Sequence, residues 1–219
     1  MKKCNLILLI CVLAVALGAA TVQAIPLPPP FSNGSFENPT SPDVGSFTTL
    51  PANNFAIDSW TVVAKTIDWI GTYWTAQNDS RSLDMSGLVG DAGSISQTFL
   101  TSAGQQYEVT FWMAGNPDGP PTIKTLNVAV GAKNQDYYFT NTASTTRGNM
   151  GWVKESFFFT TPNNPLGLST TLTFTSGDSS GYGPALDNVS VNAIPLPPSA
   201  LLLGSGLLGL VGLRRKLKG

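Results

Sequence analysis

The chain of 219 residues contains no histidine, and its only two cysteines, Cys4 and Cys11, lie in the apolar stretch at the N-terminus. Without histidine there is no Ser-His or Cys-His pair for nucleophilic catalysis and no imidazole ligand for zinc. Beyond the N-terminal stretch there is also no thiol, so that part of the chain cannot form a disulfide bond. These absences indicate a protein that is not an enzyme.

Charged residues make up only 11% of the sequence, and they are unevenly placed. Six of the 12 basic residues stand near the two ends, at Lys2, Lys3, Arg214, Arg215, Lys216 and Lys218. Between Ile25 and Ala193, six basic residues face all 13 acidic ones, which gives that region a net charge of −7. Because binding to phosphates requires a basic face, nucleic acid is not a predicted partner. The length predicts one globular domain between terminal segments.

The N-terminal segment has the features of a secretory signal peptide. Lys2 and Lys3 precede an apolar run, and small or slim residues end at Ala24. We therefore predict a signal peptide over residues 1–24 that signal peptidase cuts after Ala24. Lipidation at Cys11 is an alternative, which the bulky Ile10 disfavours. The pentapeptide IPLPP at 25–29 predicts an extended, proline-rich spacer over residues 25–32, because proline fixes φ and lacks a backbone donor.

The same pentapeptide recurs at 194–198, before an apolar, glycine-rich run and a basic tail. Counted from Ile194, the run is long enough for the roughly 20 residues that cross a bilayer as a helix, whereas counted from Ala200 it is short. The basic tail would stay in the cytoplasm. A simple membrane anchor over residues 194–219 is one interpretation. The order of elements also resembles the PEP-CTERM class of sorting signals, in its variant headed by Val-Pro-Leu-Pro, with the processing motif at Ile194, Pro195, Leu196 and Pro197.

That resemblance implies recognition by an exosortase-type membrane protease, removal of the helix, and a final location outside the cell. The protein would be anchored in the membrane only transiently, and then reach the outer surface or extracellular matrix of a Gram-negative, often biofilm-forming, bacterium. Leu196 stands where the commonest form of the signal has glutamate, so the processing enzyme stays open.

The region over residues 33–193 has the pattern of an all-β domain. Its predicted strands are rich in Val, Thr and aromatic residues and lie at 58–63, 94–100, 107–114, 126–130, 153–160, 170–176 and 185–191. Turn residues separate them at 102–105, 115–121, 161–165 and 176–183. No segment of useful length shows the 3.6-residue period of a helix. Roughly eight to ten short strands without helices predict a jelly-roll β-sandwich.

Several motifs in this region follow in order those of the choice-of-anchor C family. They are NGSFE (33–37), SWTV (59–62), IDWIGTYW (67–74), RSLDMSG (81–87), GSISQTF (93–99), YEVTFWMAGNP (107–117) and YGPALDNVSV (182–191). The resemblance covers nearly the whole body. It implies a galactose-binding-like sandwich, akin to plant cell-wall proteins with tandem domains of this kind, that is exported with one of several interchangeable anchors.

Strand alternation locates candidate carbohydrate-binding residues. The alternation predicts that Tyr107, Val109, Phe111, Met113, Val153, Phe157 and Phe159 are buried. It turns Trp112 and Phe158 outward, and large rings on a polar sheet face are typical of surfaces that stack on sugar rings. A loop cluster of Trp69, Tyr73 and Trp74 is predicted to extend this surface. The alternative is that these aromatic residues make rim contacts between loops and sheet. Trp60, which lies beside Val62 on a strand face, is predicted to belong to the core.

Asp187 is the candidate residue for a metal site. It alternates with Ala185 and Val189, so its carboxylate is predicted to be buried, which is costly without compensation. In carbohydrate-binding jelly rolls that this region resembles, an early Glu after an Asn-Gly string and a late Asp hold a structural Ca²⁺. Glu37 and Asp187 match those positions, and carbonyl oxygens would complete the shell. The alternative is that Arg81 or backbone amides satisfy Asp187.

The function predicted from these patterns is non-catalytic binding of extracellular or cell-wall polysaccharide by an exported protein. The first alternative is a structural protein of a biofilm or extracellular matrix that has no small ligand. The second is a glycoside hydrolase, which needs only two carboxyl groups and could draw them from Glu37, Glu108, Asp68 and Asp84.

Overall fold

The computed structural model describes residues 29–39, 43–163 and 168–195. The predicted signal peptide, the first part of the spacer, and the sorting segment beyond Pro195 lie outside the described residues. Within the described ranges no helix is long and apolar enough to cross a membrane.

Eleven β-strands form the described part of the chain. They are β1 (Phe47–Pro51), β2 (Thr61–Ala64), β3 (Thr66–Ile70), β4 (Ser82–Asp84), β5 (Ser94–Thr101), β6 (Gln106–Gly115), β7 (Ile123–Val130), β8 (Lys133–Thr140), β9 (Val153–Thr160), β10 (Leu168–Ser176) and β11 (Pro184–Ala193). All pairings between these strands are antiparallel.

The strands form two sheets that pack face to face. The six-stranded sheet has the order β1-β3-β4-β11-β6-β9, and the five-stranded sheet has the order β2-β5-β10-β7-β8. The chain passes repeatedly from one sheet to the other, so strands that are adjacent in a sheet are often distant in sequence. The predicted all-β jelly-roll sandwich is confirmed.

The core lies between the inner faces of the two sheets. The ring of Phe111 on β6 meets that of Phe174 on β10 edge to face, with centroids 5.3 Å apart. Trp60 is buried against the same Phe174, as predicted. The alternation predicted for 107–114 is confirmed, because its four inward residues are all buried. On β9, Phe157 and Phe159 are buried as predicted, but Val153 is 46% exposed because it begins an edge strand.

The domain begins earlier than predicted. The carbonyl of Pro29 accepts a hydrogen bond from the Leu100 amide, and the backbone of Ser32 makes two hydrogen bonds with the Gln97 side chain. Phe31 packs edge to face on Phe99 in the core. Residues 29–32 are therefore part of the sandwich rather than a free spacer, because Phe31 gains apolar burial there.

Candidate functional site

The outer face of the six-stranded sheet carries an unusual row of acidic side chains. Directly opposed residues in antiparallel strands point to the same face, and Asp68 on β3 lies opposite Asp84 on β4. Asp187 on β11 lies opposite Trp112 on β6, next to the inward-facing Met113. The sheet therefore turns Asp68, Asp84 and Asp187 away from the core, where loops cover them.

Asp68 and Asp84 lie at a cavity of about 210 Å³, which we call the acidic pocket. Its polar lining side chains are Thr49, Asp68, Asp84 and Asn116, and its aromatic ones are Phe47, Tyr73, Trp74 and Tyr182. The loop residues after β4, β6 and β10 meet here, at one end of the outer face. The pocket thus combines hydrogen-bonding groups with ring faces in one small space.

Asp84 is held by hydrogen bonds from three different segments. Its Oδ1 accepts from the backbone amides of Ser86 at 2.9 Å and Gly183 at 3.0 Å, and its Oδ2 accepts from Asn116 Nδ2 at 2.7 Å. A Cβ at Gly183 would lie 2.7 Å from the same Oδ1, so only glycine lets this backbone approach. Asp68 accepts a 2.6 Å hydrogen bond from Thr49 Oγ1.

Both carboxyl groups of the acidic pocket hold protons more tightly than usual. Burial raises the pKa of Asp68 to about 6, against the opposing effect of the Thr49 hydrogen bond. Burial raises the pKa of Asp84 to about 7, and the charge of Asp68 adds to that rise, while the hydrogen bonds from Asn116, Ser86 and Gly183 oppose it. Near neutral pH the pocket can therefore both donate and accept hydrogen bonds.

A cluster around Arg147 ties three loops together at the edge of the pocket. Its Nε donates to both carboxylate oxygens of Asp118, at 3.0 and 3.1 Å, and its Nη2 donates to the Tyr73 hydroxyl at 2.6 Å. The guanidinium also lies 4.0 Å from the centroid of the Tyr73 ring. These contacts fix the orientation of Tyr73, whose ring also meets Phe47 edge to face at 5.2 Å.

Lys124 holds two of the pocket loops from beneath. This side chain is fully buried, and its Nζ donates to the carbonyl oxygens of Gly119 and Tyr182. Burial lowers the pKa of Lys124, and the charges of Asp178 and Asp84 act in the opposite direction. The lysine is therefore a structural cation whose donors are directed at backbone carbonyls.

Glu37 and Asp187 hold the loop that carries Tyr73 and Trp74. Asp187 Oδ2 accepts from the amides of Gln77 at 2.8 Å and Asn78 at 3.0 Å, and its Oδ1 accepts from the amide of Asn188 at 2.6 Å. Glu37 accepts from the amides of Ser80 and Arg81 and from the Ser80 hydroxyl. We call this arrangement the loop clasp.

The loop clasp gives a test of the calcium prediction. Calcium needs six to eight oxygen ligands, but the carboxylates of Glu37 and Asp187 are directed at N–H groups, which cannot ligate a cation. In the described part of the chain, no group of three or more acidic side chains could hold a metal ion. Backbone amides therefore compensate Asp187, as the alternative interpretation expected. Calcium binding at Glu37 and Asp187 stays a prediction of the sequence, which the following experiment tests.

Thermal unfolding in the presence of EDTA and of excess calcium would check this. Because amides already satisfy the loop clasp, we expect the unfolding midpoint to differ by less than about 2 °C between the two conditions. A calcium-dependent rise above about 5 °C that is lost in Glu37→Gln would instead support a bound ion.

One known protein family matches almost the same range of residues as the sandwich. A family described as "Protein of unknown function (DUF642)" matches residues 29–192, from Pro29, whose carbonyl accepts from Leu100, to the residue before the last one of β11. The chain belongs to this family.

One curated relative of this DUF642 protein is Halomucin from Haloquadratum walsbyi. The two are 34% identical over 165 residues, which is 73% of this chain and 2% of Halomucin. The chain thus spans a small fraction of the relative's length.

Similar solved structures include several carbohydrate-binding modules. A CBM4 structure is 15% identical, with a TM-score of 0.42, and covers 74% of this chain and 99% of its own. The CBM22-1 xylan-binding domain from Paenibacillus barcinonensis is 14% identical, with a TM-score of 0.43, and covers 72% and 100%. TmCBM61 in complex with β-1,4-galactotriose is 14% identical, with a TM-score of 0.42, and covers 75% and 97%. At these scores the similarity supports no conclusion about a ligand.

The three aromatic residues that were predicted to form a loop cluster differ in their burial in the DUF642 sandwich. Trp69 is only 1% exposed, points into the core, and donates its indole N–H to the Phe36 carbonyl, so its prediction as a sugar-stacking residue is wrong. Trp74 lines the acidic pocket, but it is 4% exposed and donates to Ser82, so it forms a wall rather than an open platform. Tyr73 is half-buried and lines the pocket.

Trp112 and Phe158 lie on the outer face, as predicted, but outside the acidic pocket. Trp112 is half-buried, and Phe158 is 41% exposed. Their cross-strand partners are Asp187 and Glu108, respectively. They could therefore contact only a ligand that extends along the sheet from the pocket.

Sequence reasoning did not assemble the acidic pocket. Asp68 and Asp84 were only two of four carboxyl groups with no favoured pairing, and Asn116 and Tyr182 fell in segments assigned to turns. One feature of the sequence could have pointed to these two aspartates: both lie within motifs that resemble the choice-of-anchor C family. Only the register of β3 with β4 makes them direct neighbours.

Proposed function

We propose that this protein is an exported, non-catalytic polysaccharide-binding protein whose acidic pocket holds a sugar residue. The observation that supports it most is the combination of aromatic Phe47, Tyr73 and Tyr182 with the polar groups of Thr49 and Asp68 in one cavity. Sugars present C–H faces that pack on aromatic rings and hydroxyls that bond to carboxyl and amide groups. A pocket of this composition satisfies both needs at once.

The geometry of the pocket also suits a rigid binding site. The two carboxyl groups stand on paired strands, and Arg147 fixes Tyr73 through the hydroxyl and the ring. Groups held in this way lose little conformational entropy when a ligand binds. Trp112 and Phe158, on the same outer face, are proposed to contact further residues of a longer chain.

A glycan array on the purified sandwich tests this proposal. We expect binding to at least one polysaccharide, and we expect Tyr73→Ala to weaken it at least tenfold, because the variant removes a fixed ring at the cavity. Tyr138→Ala is the matched control, since Tyr138 is 63% exposed on β8 of the other sheet.

Absence of binding to every glycan, alongside normal binding by a control module, would reject the proposal and favour a structural matrix protein. Equal losses in Tyr73→Ala and Tyr138→Ala would show that the ligand binds elsewhere.

A glycoside hydrolase is a second candidate because of one specific observation. Asp68 and Asp84 are direct cross-strand neighbours with raised pKa values of about 6 and about 7, the kind of pair that supplies a general acid. However, both stand on one side of the cavity, and Asp84 is 1% exposed, so neither is placed to flank a glycosidic bond. Release of reducing sugars that Asp84→Asn abolishes would support this candidate.

We also propose that the terminal segments direct export and sorting, as the sequence patterns indicate. The proposal comprises cleavage after Ala24 by signal peptidase and processing near Ile194–Pro197 by an exosortase-type protease. Mass spectrometry of the mature protein from its native host is the test. We expect a chain that begins at Ile25 and lacks the basic C-terminal tail, whereas recovery of the intact 219-residue chain would contradict the proposal.

A further inference from the structure

The side chains that line the acidic pocket carry charge of only one sign. Asp68 and Asp84 are acidic, and none of the lining residues, all within the described part of the chain, is Lys or Arg. An anionic sugar, such as a uronic acid or a sulfated sugar, needs a cationic partner in its site to offset the loss of its hydration. The lining offers none.

Arg147 and Lys124 each hydrogen-bond to a lining residue, and each is already committed to other groups. Arg147 donates to both oxygens of Asp118, so its charge is matched by a carboxylate. Lys124 is buried, and its ammonium donates to the Gly119 and Tyr182 carbonyls. Recruiting Nε or Nη2 of Arg147, or the ammonium of Lys124, for a ligand would break contacts that hold the loops of the pocket.

We propose that the acidic pocket selects uncharged or amino sugars and rejects uronic acids and sulfated sugars. This inference rests on the proposed function and names its ligand class. At pH 8, where both carboxyl groups are largely ionised, a third negative charge would face them in a partly desolvated cavity, where like charges repel more strongly than in water. The net charge of −7 between Ile25 and Ala193 acts in the same direction at long range.

The discrimination should depend on pH. Asp68 faces Thr49 and Asp84, and Asp84 also faces Asn116 and the backbone amides of Ser86 and Gly183. From the elements packed behind the pocket, the charge of Lys124 interacts with that of Asp84. As pH falls from 8 to 5, the two carboxyl groups gain protons, whereas a sugar uronate stays largely ionised. Rejection of uronates should therefore weaken at pH 5.

A glycan array of neutral polysaccharides, each spotted beside its C6-oxidised uronate product, tests the inference. At pH 8 we expect each bound neutral glycan to be favoured over its oxidised partner by about tenfold or more, and by less at pH 5. Asp68→Asn should reduce that ratio at pH 8. Asp136→Asn, which removes one exposed acid on β8, should leave it unchanged.

The outcomes separate this inference from the proposed function. Binding of oxidised glycans as tightly as, or more tightly than, their neutral partners would overturn the selectivity and leave carbohydrate binding intact. Binding to no glycan would overturn both. A ratio that Asp68→Asn and Asp136→Asn reduce equally would show that the general charge of the protein, and not the pocket, rejects anions.

Discussion

Replacing Asp187 by alanine is expected to lower the free energy of unfolding by about 3 to 5 kcal/mol. The fully buried carboxyl group accepts hydrogen bonds from the amides of Gln77, Asn78 and Asn188. Alanine would leave these three donors without an acceptor beside β11. Urea denaturation at pH 7, followed by tryptophan fluorescence, measures the change.

The matched variant Asp187→Asn keeps one carbonyl oxygen as an acceptor, so we expect a smaller loss than in Asp187→Ala. Because the loop clasp holds the segment with Tyr73 and Trp74, the alanine variant should also lose ligand affinity. A change below about 1 kcal/mol in Asp187→Ala would contradict the account, since it would mean that the loop does not depend on these hydrogen bonds.

The stability of the protein is expected to fall as pH rises from 4 to 8, in part because of Asp84. Its pKa lies near 7 in the folded protein, above the ordinary value of 3.8, so the folded state binds a proton more tightly than the unfolded state. Its contribution is therefore fully present below about pH 4 and is lost as pH rises through 7. The difference corresponds to roughly 4 kcal/mol for an isolated group, although Asp68 and Asp84 titrate as a pair.

Comparison with Asp84→Asn isolates this contribution. We expect the variant to gain stability relative to the wild type by up to a few kcal/mol between pH 4 and pH 8, because it has no carboxyl group to ionise. Urea denaturation between pH 4 and pH 8 measures this difference in the free energy of unfolding. Asp136→Asn is the control, because it removes one negative charge far from the pocket. A stability difference between Asp84→Asn and wild type that does not change with pH would refute the assignment.

The parts of the fold that sequence predicts well are the long strands with one buried face. In β6, apolar side chains at every second position identify the inward residues from Tyr107 to Met113, and all are buried. Asp187 is buried as predicted, but not by the core: the register shift between Asp187 and Ser190 puts it on the outer face, whereas Val191 pairs with the inward Val109. What covers it was not predictable, because the Gln77 and Asn78 amides come from a loop more than 100 residues away.

Short strands and long-range register limited the prediction of the site. No strand was assigned at β1, β3, β4 or β8; β4 has three residues, too few to show a period of two. Their pairing nevertheless places Asp68 beside Asp84 and Thr49. Trp69 was grouped with Tyr73 and Trp74 because they are close in sequence. Trp69 ends inside because β3 is a strand, whereas Tyr73 and Trp74 follow it in a loop that folds over the outer face.

The most direct measurement of the central claim is NMR mapping of amide shifts while a glycan identified on the array is added to the labelled sandwich. If the acidic pocket holds the sugar, the largest changes will fall at Asp68, Asp84, Asn116 and Tyr182. A second cavity of about 490 Å³ lies at the opposite end, lined by Gly131, Lys133, Phe159 and Pro162. Changes confined to that end would contradict the account.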